Sequence, residues 1–107
     1  MQILLQAPHE SLPDAFAEFV DQSVRDVLAH HAERLTRVEV HLRDQNAHKG
    51  GIDKRCVIEA RPRGLDPLTA EHDGEDVKGA FRGALDKLER VLANRFGKLA
   101  ARDRGEG

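Results

Sequence analysis

The sequence predicts an α+β domain of order β-α-β-β-β-α, a four-stranded sheet with two helices on one of its faces. Three observations predict it. Period-two alternation through Arg37 to Arg43 and again from Arg55 to Ala60 marks two strands, each with one buried and one wet face. A 3.6-period stripe of Val77, Phe81, Ala84, Leu85, Leu88, Val91, Leu92, Phe96 and Leu99 marks a long second helix. An earlier stripe of Leu12, Phe16, Phe19, Val20 and Val27 marks a first helix ahead of both strands.

Taken in order, strand one is Gln2 to Gln6, where Ile3 and Leu5 alternate with Gln2, Leu4 and Gln6 until Pro8 stops the run. Ser11, Pro13 and Asp14 resemble a capping box, so helix one is expected from about Leu12 to about Ala32. Strand two follows, with Val38, Val40 and Leu42 inward and Arg37, Glu39, His41 and Arg43 outward. Asp44 to Asp53, which contains Gly50-Gly51, is a polar loop longer than a tight hairpin needs. Strand three turns Cys56, Ile58 and Ala60 inward and ends near Pro62. After a turn marked by Gly64 and Pro67, Leu68 to His72 reads as a fourth strand. Asp73 and Asp76, three residues apart, signal the start of helix two. Gly79, Gly83 and Gly97 weaken its propensity by roughly 1 kcal/mol each, so packing must hold it.

The 107 residues suit one domain, expected over 1–101 with a flexible tail at 102–107. No run approaches the ~20 apolar residues that span a bilayer, and the N-terminus lacks a basic segment followed by a long apolar one. A lone cysteine forms no internal disulfide and offers no zinc pair. The expected setting is therefore the cytoplasm. Net charge is only −2, yet it is segregated: 1–76 carries 9 basic and 15 acidic residues, and 77–107 carries 8 and 4. An acidic first helix set apart from a basic second helix is an electrostatic footprint suited to a polyanion.

Chemistry-bearing residues give little support to catalysis. Of six histidines, His30 and His31 with Glu33 are the densest group, but adjacent helical residues point about 100° apart and no His-x-x-x-His pair occurs. Surface or helix-end histidines are the better reading, and neither a metal nor another cofactor is expected. The inward phase of Cys56 makes it a buried, inert thiol. Gly50-Gly51 lacks the Lys-Ser/Thr of a phosphate loop and reads as a turn. With no Trp or Tyr and four Phe on helical stripes, the chain lacks stacking platforms, which favours shaped RNA bound through phosphates and 2′-hydroxyls.

Several strings resemble the ribosome hibernation promoting factor and ribosome-associated inhibitor family, also called sigma modulation proteins, in its short form. They are Val38-Glu39-Val40-His41-Leu42, Asp53 through Arg61, and Asp76 followed by Ala80-Phe81 and Leu85-Asp86-Lys87-Leu88. The resemblance implies a protein without catalytic activity that binds the small ribosomal subunit and its ribosomal RNA in the messenger and transfer RNA cleft. It implies no membrane partner and no small-molecule substrate, and it carries RNA contact onto Lys87, Arg90 and Lys98. Two further basic positions of some relatives fall on Asn94 and Phe96 here, and an aromatic and an acid usual in the family are Lys78 and Arg82. Long members pair ribosomes through a C-terminal domain that this sequence does not contain, so a monomer is expected.

Around helix two, Lys87, Arg90, Asn94 and Lys98 share one polar flank. Lys78, Arg82 and Arg95 complete the helix's candidate cations, and Arg55, Arg61 and Arg63 form a second patch. Glu39 and Glu59 are near enough to serve those strand arginines as cross-strand partners. Beside RNA contact stands the ordinary solvated helix face. Two other functions compete: a double-stranded-RNA or ribosome-assembly module of the same topology, and a metal-dependent enzyme built on the histidines.

Overall fold

A computed structural model describes residues 1–8, 12–44 and 54–103. Its elements are β1 (Gln2–Gln6), α1 (Asp14–Val27), a 3-10 helix (Ala29–Arg34), β2 (Leu35–Asp44), β3 (Lys54–Pro62), β4 (Leu68–Gly74) and α2 (Val77–Asp103). One four-stranded sheet has the order β1-β2-β3-β4, with β1 parallel to β2 and the later pairs antiparallel. The predicted α+β architecture is the observed one.

Register explains the core. Ile3 lies opposite Val38, Val40 opposite Ile58, and Leu42 opposite Cys56, so these apolar residues share one face. Val38, Val40, Leu42, Cys56, Ile58 and Ala60 are buried there in a single cluster with Val20 and Val24 of α1 and Phe81, Ala84, Leu88 and Leu92 of α2. Both helices therefore cover the same face of the sheet, as expected.

Several boundaries differ from the sequence reading, among them β2, which runs from Leu35 to Asp44. The α-helical turn of α1 ends at Val27, and Ala29–Arg34 tightens into a 3-10 helix instead of continuing to Ala32. A further α-turn would carry His31 along the Val24–Leu28 stripe into the core. The tighter winding leaves it at the margin, where its Nε2 lies 2.8 Å from a Glu89 oxygen. β4 runs on to Gly74 because Arg55 and Lys54 of β3 pair with Asp73 and Gly74. That pairing takes Asp73 out of the helix start, so the α2 cap is Asp76 alone: its carboxylate accepts the Gly79 N–H at 2.7 Å. Ser11, the expected cap of α1, and the Gly50-Gly51 turn lie outside the described residues.

Where α2 crosses β4, the approach is close. A Cβ added to Gly83 would overlap the His72 ring, and one added to Gly74 would stand 2.7 Å from the Ala80 backbone nitrogen. Gly83 thus accepts a helix-propensity penalty so that α2 can settle onto the sheet. Gly97, by contrast, has nothing within 4 Å of its would-be Cβ.

Two predictions follow from this packing. Gly97→Ala should raise unfolding free energy by about 0.5–1 kcal/mol, whereas Gly83→Ala should lower it by about 1–3 kcal/mol despite the same propensity gain. Urea unfolding compares them, and a stabilising Gly83→Ala would mean the His72 contact does not set the helix position. The second concerns Cys56, whose thiol burial pushes from its ordinary 9.0 up to about 12. The folded state holds that proton more tightly, so the contribution is complete below pH 9 and is lost as pH rises toward 12. Stability should fall by about 1.4 kcal/mol per pH unit in that window, a limb that Cys56→Ala removes. Native alkylation should be correspondingly slow; fast labelling without unfolding would contradict it.

Candidate nucleic-acid interface

The buried stripe fixes how α2 is rotated, and that rotation distributes its cations. One flank overhangs β4: Gly83 meets His72, and Lys87 Nζ donates to the Glu71 backbone carbonyl at 3.2 Å. Lys87, Arg90, Asn94 and Lys98 are all exposed there. Among the described residues, none of these three cations forms an ion pair with a carboxylate, and Lys87 spends one donor on the backbone of an edge strand.

The other flank faces α1. Lys78 Nζ lies 4.8 Å and Arg82 Cζ 5.7 Å from the Phe19 ring centroid, two cation–π contacts that tie the helices together. Arg95 is half-buried, in helical phase with Val91 and Leu99. The sequence-predicted set on α2 is therefore split: Lys87, Arg90 and Lys98 act from one side, Lys78 and Arg82 from the other.

The strand arginines occupy the uncovered face of the sheet and are largely neutralised. Arg55 Nε lies 2.8 Å from an Asp73 oxygen, and Arg61 Nε lies 2.7 Å from Glu59 with a second contact to Glu39 at 3.4 Å. The hydrogen bond to Asp73 raises the Arg55 pKa, and that to Glu59 raises the Arg61 pKa. Glu39 is only 8% exposed although its alternation points it to solvent. Arg37 donates to it at 2.9 and 2.6 Å, and His41 lies 3.3 Å away. The Arg37 hydrogen bond holds the Glu39 carboxyl below the ordinary carboxylate range, against the opposing cost of burial. Register places Arg37, Arg43, Arg55 and Arg61 on this face together with Glu39, Glu59, Glu71 and Asp73, a balanced surface. Arg63 lies beyond β3, exposed, its backbone N–H donating to the Arg34 carbonyl at 2.9 Å.

That last contact belongs to a region the sequence reading missed. Arg34, Arg63, Glu33, Pro62, Leu65, Phe96 and Leu99 line a groove of about 340 Å³ at one end of the molecule. Arg34 Cζ lies 4.9 Å over the Phe96 ring, and the His31 ring lies tilted against it with centroids 5.4 Å apart. A second cleft of about 310 Å³ between the helices holds Arg82 with Asp26 and Asp86. Among the described residues, no three His, Cys, Asp or Glu side chains converge to hold a metal.

Among solved structures, a ribosomal subunit interface protein from Coxiella burnetii superposes with a TM-score of 0.76 at 13% identity, over 91% of this chain and 99% of that one. The N-terminal domain of Thermus thermophilus Protein Y gives 0.69 at 23% identity, over 90% and 99%. These likenesses establish the fold. A search of curated proteins returns no match. The family model described as sigma 54 modulation protein / S30EA ribosomal protein matches residues 3–100, nearly the whole chain. The chain belongs to that family.

Proposed function

We propose that this protein is a ribosome-associated factor of the cytoplasm that acts as a monomer in the messenger and transfer RNA cleft of the small subunit. It blocks translation sterically and preserves idle ribosomes, with no catalytic step. Family membership supports ribosome association, and two solved relatives in fold carry the names ribosomal subunit interface protein and Protein Y. The observation that carries the RNA contact is the α2 flank of Lys87, Arg90 and Lys98, exposed and without carboxylate partners among the described residues.

The mechanism is competition for a polyanionic site. Each cation that reaches a phosphate makes a charge-assisted hydrogen bond and releases a condensed counterion. The uncovered sheet face contributes less, because an arginine already paired with an aspartate brings no net charge to a phosphate. Availability decides which cations bind.

The test is ribosome pelleting across a salt series, with circular dichroism as the folding control. Lys87→Glu, Arg90→Glu and Lys98→Glu combined should weaken binding by about a thousandfold, roughly tenfold per lost contact, and flatten the salt slope by about three units. Arg55→Gln with Asp73→Asn removes a charge pair and leaves net charge unchanged, so affinity should stay within about twofold. If the folded triple variant pellets as well as wild type, the flank is a solvated helix face and the RNA-contact assignment is wrong.

A further inference from the structure

We propose that the groove between the 3-10 helix, the Pro62–Leu65 turn and the last turns of α2 is a subsite for one unpaired RNA nucleotide. The inference rests on the RNA-binding reading above and assigns to it a feature that a phosphate-gripping helix flank does not supply: selection of an unstacked base.

The chemistry of the lining points to that ligand. Pro62, Leu65, Phe96 and Leu99 give an apolar wall, and Arg34 and Arg63 give two exposed guanidinium groups. A ligand matched to both needs an apolar, planar body and an anionic group, which a nucleotide has and a paired, stacked duplex does not present. Arg34 is exposed yet held in place, its Cζ 4.9 Å over the Phe96 ring. Guanidinium planes of this kind serve as stacking platforms for splayed bases. Arg63 makes no ion pair with any described residue, and its main chain is tied to that of Arg34 at 2.9 Å, so it stands ready for the phosphate. Glu33, the acid in the lining, disfavours a phosphate on its own side and directs it toward Arg63. Phe96 itself is 7% exposed and works through Arg34 rather than by direct stacking.

The experiment uses two fluorescent RNAs, a continuous duplex and the same duplex carrying one bulged adenosine, measured by anisotropy with the full chain. Wild type should bind the bulged RNA about tenfold more tightly, the gain expected from stacking one base. Arg34→Ala should abolish that preference and leave duplex affinity within about twofold. Arg63→Glu, at an exposed position whose loss does not threaten folding, should also abolish it. Equal wild-type affinity for the two RNAs, retention of the preference in both variants, or failure of either RNA to bind would overturn the subsite. So would loss of ribosome pelleting by Arg34→Ala with the bulge preference intact, which would assign the groove to a ribosomal protein. Pelleting of the triple-Glu protein tests the flank separately: if it fails to pellet and no bulge preference exists, the flank binds RNA and the groove does not.

Discussion

The fold depends on one helix covering two strands. The sheet is apolar on a single face, and α2 must shield β3 and β4, while α1 adds its Val20 and Val24 to the same core. Phe81, Leu88 and Leu92 are fully buried beneath α2, and each contributes on the order of 2 kcal/mol relative to exposure. That is enough to override the propensity cost of the helix glycines. Gly83 against the His72 ring then sets how close the helix comes. Once the stripe and this contact are satisfied, α2 has no rotational freedom, and every other side chain on it is assigned to a flank.

Charge placement follows from that assignment. On the open sheet face, cross-strand neighbours stand only about 5 Å apart, so an uncompensated row of arginines there would repel. Glu39 and Glu59 alternate with Arg37 and Arg61, and the sheet keeps a satisfied surface. On α1 the same economy appears as Arg25 with Asp21 and Gln22 with Asp26, both four residues apart. The outer flank of α2 breaks the rule. Lys87 and Arg90 are three residues apart, and although Asp86 stands one turn before Arg90, neither cation is paired with a carboxylate among the described residues. Cations left without carboxylate partners among the described residues are what a surface built for an external anion looks like.

Much of this was legible in the sequence, for reasons that differ by element. β1 and the inward phase of Cys56, Ile58 and Ala60 follow from period two alone, because a one-residue slip would expose the whole set. The side of α2 that carries Lys87, Arg90 and Lys98 follows from 100° per residue. The end of α1 did not follow, because the helical stripe continues through Leu28 while the tertiary margin decides where His31 can sit. Nor did the α2 cap: Asp73 and Asp76 look equivalent until the Arg55 pairing claims one of them. The pairing of Arg55 and Arg61 needed the register of β3 and β4. The groove was invisible, since Arg34 and Phe96 are distant in sequence and meet only because the 3-10 helix reaches the far end of α2.

A chain with net charge −2 is an unexpected ligand for a polyanion, and the geometry resolves the conflict. Glu18, Asp21 and Asp26 lie on α1, which faces the flank of α2 that holds Lys78 and Arg82. Lys87 and Lys98 point the other way, across a helix about 10 Å thick, with Arg90 between the two sides. At physiological ionic strength the Debye length is about 8 Å, so exposed charges beyond that distance scarcely act on one another. A phosphate at the outer flank therefore meets the local cations and little of the acidic helix behind them. Lys78 and Arg82 complete the insulation by placing two positive groups between α1 and the outer surface of α2. The sign of the whole protein governs its solubility; the sign of one flank governs what it can hold.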